Sequence, residues 1–145
     1  MKLEYKKLSD TARCPERGSA DAAGYDLFAD IEGPITIAPH ETILIGTGIA
    51  IAVPGGYFGG VFARSGLSLK EGLRPANCTG VIDADYRGEV KVSLHNDSET
   101  PRRVEPQQKI AQLVILPFLE VEFSECEELS ETVRGAGGFG STGKN

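Results

Sequence analysis

The sequence predicts an all-β domain, a sandwich or barrel with one short helix, and two observations carry that prediction. Eighteen glycines and eight prolines in 145 residues leave few stretches long enough for an ordinary helix. Short β-prone runs with turn residues at close spacing fill the gaps, which is the pattern of a sandwich or barrel. A chain of this length buries about 68–70% of its unfolded surface, enough for a core without staples. Its 40% hydrophobic and 25% charged residues are ordinary for a soluble globular protein.

In chain order, the predicted strands are 3–8, 25–29, 35–37, 42–53, 57–63, 90–95 and 110–118, and, more weakly, 121–123. The 42–53 run alternates, with Ile43, Ile45, Ile49 and Ile51 as its inward side. Residues 65–72 form the one predicted helix, with Ser65 placed to cap it. Asp26 falls within a strand-like run, where an acid needs a basic or metal partner. Gln112 stands among apolar neighbours, either as a satisfied core amide or as part of a site. His40 and His95 have no evident triad partner and read as structural. The main domain is expected over 1–134. Residues 135–145 have almost nothing to bury and are expected to form a flexible glycine-rich arm.

A formal net charge of −6 repels DNA, RNA and anionic membranes, so neither a nucleic-acid polymer nor a membrane is an expected partner. A small phosphate ligand needs only local arginines and a divalent cation to overcome that field. Cys14, Cys78 and Cys126 are widely spaced and contain no C-x-x-C pair, which argues for a reducing compartment over a disulfide framework or zinc site. Charges crowd the first residues too closely for a signal peptide, and no apolar run approaches membrane-spanning length. A cytoplasmic protein is the expectation.

The chain is organised around residues 77–92, Asn-Cys-Thr-Gly-Val-Ile-Asp-Ala-Asp-Tyr-Arg-Gly-Glu-Val-Lys-Val. Alternation on both sides of a polar cluster reads as a β-hairpin with Asp83, Asp85, Tyr86, Arg87 and Gly88 at its tip. An aromatic ring, a carboxylate and the Asn77 amide are the groups needed to hold a nucleoside and activate a water. A solubilising polar turn is the plain alternative. The Asp-x-Asp-x-Arg-Gly opening is no calcium loop, because Arg87 holds the third acidic position and Leu94 the closing glutamate position.

Arg64-Ser65-Gly66 offers a fork of donors and helix-opening amides to a phosphate, or is an ordinary strand-to-helix cap. Residues 135–140 match the dinucleotide fingerprint, yet no strand leads in and no helix follows. Residues 138–144 approach a P-loop, but Asn145 stands where Ser or Thr is needed. What survives is the underlying chemistry. Glycine-rich backbone with Arg134, Ser141 and Thr142 can wrap phosphates, and Phe139 can stack on a base.

Five segments occur in a telling order: Ala23-Gly-Tyr-Asp-Leu-Phe-Ala29, Ala63-Arg-Ser-Gly-Leu-Ser-Leu-Lys70, the stretch 77–89, Lys109-Ile-Ala-Gln-Leu113, and Arg134-Gly-Ala-Gly-Gly-Phe-Gly-Ser-Thr-Gly143. Together they closely resemble the motifs of the trimeric deoxyuridine triphosphate nucleotidohydrolases, the dUTPases, over essentially the whole chain. The departures are small: Gln107-Gln108-Lys109 for a frequent Gly-Asp-Arg, Ser68 for alanine, and Ala136 for an acid.

The resemblance implies a jelly-roll-like subunit in a homotrimer whose active sites are shared. The first, second and fourth motifs would come from one chain, the third from a second chain and the arm from a third. It implies hydrolysis of dUTP to dUMP and pyrophosphate, with Asp83 activating a water and Mg²⁺ held mainly by the phosphates. Asp26 would act near the metal's water shell rather than as a direct ligand. Arg64, Ser65, Gln112, Arg134, Ser141 and Thr142 would contact the phosphates, with Gly66 and Gly140 also among the substrate-binding residues. Asn77 and the backbone of Gly80, Val81 and Ile82 would read uracil, with Phe139 closing over the ring. Tyr86 would pack on the deoxyribose and exclude a 2′-hydroxyl. Two rivals are a dCTP deaminase, which normally lacks the Asp-x-Asp-Tyr-Arg-Gly signature and the Phe-containing arm, and a trimeric nucleotide binder without turnover. That signature and the arm argue against the first, and intact Asp83, Arg64 and arm argue against the second.

Overall fold

The computed structural model describes residues 1–138. Turn residues divide them into β1 (Glu4–Lys7), β2 (Glu16–Arg17), β3 (Tyr25–Phe28), β4 (Ile35–Ile37), β5 (Thr42–Ala52) and β6 (Tyr57–Phe62). After these come α1 (Ser65–Glu71), β7 (Leu73–Pro75), β8 (Thr79–Ile82), β9 (Glu89–Asn96), β10 (Arg102–Val104) and β11 (Lys109–Pro117). The chain is all-β with one short helix, as the sequence predicts.

The strands form three sheets, ordered β1-β5-β9-β7, β2-β3-β11-β6-β8 and β10-β4, with every pairing antiparallel. All three contribute to one hydrophobic cluster, with Ile45, Ile49, Val92 and Leu94 from the first, Leu27, Val61 and Leu113 from the second, and Ile37 and Val104 from the third. Burying each such aliphatic side chain contributes about 1.5–3 kcal/mol. In β5, Ile45, Ile49 and Ile51 are buried and Ile43 packs against the cluster, as the alternation predicts.

One buried polar side chain joins the layers. Asn96 is fully buried, and its Nδ2 donates to the carbonyls of Ile37, Ala38 and Thr100 at 3.1, 3.1 and 2.9 Å. Its Oδ1 accepts from the Ser98 backbone N–H and hydroxyl. The end of β9 is thus tied to β4 and to the turn that precedes β10.

Three expectations need correction. The stretch 77–92 is not a hairpin: β8 pairs with β6, whereas β9 pairs with β5 and β7 in another sheet. Residues 83–88 therefore cross between layers. Ser65 is not the helix cap; it is the first helical residue, preceded by Arg64 in extended conformation with no side-chain capping bond. The helix ends at Gly72, whose left-handed φ of 68° suits a residue without Cβ. Residues 121–123 form no strand and lie exposed. From Phe118 the chain leaves the sheets, with Leu119, Val121, Phe123, Leu129 and Val133 open to solvent.

Candidate active site

The predicted site residues gather in two clefts. The first, about 330 Å³, is lined by Asn77, Gly80, Val81, Ile82, Asp83 and Tyr86, with Val61 and Glu89 behind them. β8 supplies one wall, because its pairing with β6 sets Gly80 opposite Val61 and Ile82 opposite Gly59. Cys78, at φ 59°, turns the chain into that strand. The crossing segment braces itself: the Tyr86 N–H donates to the Asp83 carbonyl at 3.2 Å. Arg87 Nη1 donates to the carbonyls of Ala84 and Tyr86 at 2.6 and 2.9 Å. Arg87 thus helps hold its own loop, and the loop offers exposed Asp83, Asp85 and Tyr86 side chains, of which Asp83 and Tyr86 line the cleft.

The second cleft, about 220 Å³, is lined by Gly24, Asp26, Arg64, Ser65, Gly66 and Gln112, with Gly18 and Ala22 at its mouth. The acid that needed a partner has two. Buried Asp26 accepts from Arg64 Nε at 2.8 Å through Oδ1, and Lys109 Nζ lies 2.7 Å from Oδ2. Lys109 was noted in the sequence only as a departure from a motif. The signal that points to it is the same unexplained acid in a strand. Gln112 Nε2 donates to the Ala63 carbonyl at 2.8 Å and retains a second N–H. Its side-chain carbonyl lies over Gly24, where any Cβ would collide with it. Arg64, the open amides at Ser65 and Gly66, and Gln112 make a donor-rich surface suited to an anion.

Both clefts share a wall on one sheet, and the first is closed on its other side by Leu44 of β5 and Val90 and Lys91 of β9. Asp26, Gln112, Phe62 and Thr79 are successive Cα partners across β3, β11, β6 and β8. Three strand spacings and four residues of rise then separate Asp26 from Asp83, on the order of 20 Å through the sheet. Because Arg64 Nε bonds Asp26 at that far end, a single subunit holds its Asp83 well away from its own Arg64. Arg134 lies in neither cleft and is exposed, with Nε donating to the Gly137 carbonyl at 2.8 Å. Phe139, Gly140, Ser141 and Thr142 lie outside the described residues. A further cavity of about 470 Å³, lined by Leu3, Tyr5, Tyr25, Ile51, Leu113 and Ile115 among others, is largely apolar and contains none of the predicted site residues.

Among the described residues no group of three or more His, Cys, Asp or Glu side chains is placed to cage a metal ion. No helix among them is long and apolar enough to cross a membrane.

A protein-family model described as dUTPase matches residues 10–143. The chain belongs to the dUTPase family. It is 48% identical to the deoxyuridine 5′-triphosphate nucleotidohydrolase of Hydrogenobaculum sp. over 143 residues, 99% of each chain. It is 50% identical to that of Corynebacterium diphtheriae over 144 residues, covering 99% of this chain and 93% of the relative. The dUTPase of Staphylococcus bacteriophage 80alpha, solved with dUPNHPP, superposes with a TM-score of 0.91 at 34% identity over 99% of both chains. The dUTPase of phage phi11 of S. aureus superposes with a TM-score of 0.81 at 30% identity, covering 91% of this chain and 100% of that one.

Proposed function

We propose that this dUTPase-family protein hydrolyses dUTP to dUMP and pyrophosphate, limiting uracil incorporation into DNA and supplying dUMP for thymidylate synthesis. The observation that carries the reading is the pair of clefts that share one sheet as a wall, one suited to a nucleoside and one to phosphates. The Asn77 amide and the backbone of Gly80, Val81 and Ile82 read uracil, and Tyr86 walls the sugar. Arg64, Ser65, Gly66 and Gln112 hold phosphate oxygens. Asp83 orients a water and takes its proton as the water oxygen bonds to the α-phosphorus and the bond to the pyrophosphate oxygen breaks. A solvent-exposed carboxylate at the cleft suits that role.

Mg²⁺, when bound, supplies charge neutralisation on the phosphates. Asp26 fits an indirect part in holding it, through the metal's water, because both of its oxygens already face cationic side chains.

The protein acts as a homotrimer in which phosphate cleft and base come from different chains. The separation of Asp83 from Arg64 within one subunit supports this, as does the exposed apolar stretch beyond Phe118, which calls for a partner surface. Arg134, Phe139, Gly140, Ser141 and Thr142 of a third chain close over base and phosphates. Three free, exposed cysteines suit the reducing cytoplasm.

The deciding experiment supplies dUTP and dCTP separately. Pyrophosphate from dUTP without ammonia from dCTP is expected. Ammonia release from dCTP would make the protein a deaminase, and tight dUTP binding without turnover would make it a binder.

A further inference from the structure

We propose that Lys109 is a positioning residue of the phosphate cleft: by holding Asp26, it leaves the guanidinium of Arg64 available to a polyphosphate. The inference rests on the assignment of that cleft to phosphates and extends it to a residue outside its lining.

The reasoning begins with charge. Arg64 and Asp26 alone form a neutral pair, with the carboxylate facing the same cleft as the guanidinium. An anion approaching such a pair meets repulsion as well as attraction. Lys109 brings the second positive charge, 2.7 Å from Asp26 Oδ2, and the three groups then sum to one net positive charge. With Oδ2 occupied, Asp26 engages Arg64 through Oδ1 and Nε. The terminal nitrogens of Arg64 stay clear of the carboxylate, and the backbone carbonyl of Lys109 lies 3.5 Å from Nη1. One residue thus touches both members of the pair.

Backbone geometry explains how Lys109 reaches the acid. Residues three apart in a regular strand point to opposite faces, so Lys109 and Gln112 could not serve one cleft. The β3–β11 register is interrupted between Lys109 and Ala111, with Lys109 opposite Phe28 and Gln112 opposite Asp26. An irregularity of this kind re-aims a side chain. Lys109 Nζ also stands 5.9 Å from the ring centroid of Phe28, the residue opposite it in β3.

The test compares the full-length protein with Lys109→Met, Lys109→Gln and Lys109→Arg by calorimetry. The ligands are deoxyuridine, dUMP and a non-hydrolysable dUTP analogue. If Lys109 tunes the charge of the cleft, both neutral variants lose affinity in proportion to phosphate number. The loss is about tenfold for the triphosphate analogue, smaller for dUMP and absent for deoxyuridine, and Lys109→Arg restores it. A structural role would instead weaken all three ligands by one factor, and that outcome overturns the proposal. So does analogue binding by both neutral variants at wild-type strength. Wild-type protein that binds deoxyuridine and the analogue equally well overturns the phosphate assignment itself, a result separable from any effect of Lys109. The Gln variant keeps a polar stem, so the comparison stands if the Met variant fails to fold.

Discussion

The Tyr86 hydroxyl donates to the Glu89 carbonyl at 3.0 Å, which folds the ring back across Gly88. A Cβ at Gly88 would collide with the hydroxyl and the ring edge, so the tyrosine can occupy this position only because residue 88 has no side chain. The Tyr86 wall of the cleft proposed for the nucleoside is therefore a two-residue device.

Sugar selection is the role proposed for that wall. A merely apolar pocket rejects an added hydroxyl by only about 10²-fold, so stronger discrimination needs a rigid surface. Tyr86→Ala and Gly88→Ala are both expected to narrow the gap between dUTP and UTP in kcat/KM, the second by displacing the ring. Equal losses for the two nucleotides would make Tyr86 a support rather than a selector.

Asp83→Asn is expected to lower turnover by about 10²–10⁴ while nucleotide binding persists, since the amide cannot take the proton of the attacking water. Single-turnover kinetics with a parallel binding measurement separates the two effects. Comparable loss from Asp85→Asn, or none from Asp83→Asn, moves the base elsewhere.

Asn96→Ala removes the donor shared by three carbonyls and empties a buried site. A loss of about 2–4 kcal/mol is expected. It reads as a lower denaturant midpoint with unchanged slope at fixed protein concentration. A change below about 0.5 kcal/mol, the size of an ordinary surface substitution, would mean that water replaces the amide at no cost.

Sharing of the site between chains is tested by mixing. Asp83→Ala subunits keep the arm, and subunits truncated after Arg134 keep the base; each homotrimer is expected to be nearly inactive. Refolded together in equal amounts, about a quarter of the sites in random trimers combine an intact base with an intact arm from different chains. Activity then returns. Mixed trimers, verified by mass, that stay as inactive as their parents would show that base and arm belong to one chain.

The sequence by itself determined what is local. Alternation and turn chemistry placed β3, β4, β5, β6 and β11 within a residue or two, and α1 likewise. Contiguous motifs bring Arg64, Ser65 and Gly66 to notice together, and the unexplained acid Asp26 calls for a basic or metal partner without deciding which or naming it. Tertiary structure alone decided which strands meet. Residues 79–82 and 89–96 look like one hairpin because both alternate about a polar turn, but alternation records only which side is buried. They join different sheets because their hydrogen-bonding edges are satisfied by β6 on one side and by β5 and β7 on the other. The short strands β2, β7 and β10 have too few residues to show a period and exist because neighbours supply their pairing. The same holds for Lys109: the interrupted β3–β11 register that turns it towards Asp26 is a property of two strands in contact, and neither strand's sequence contains it.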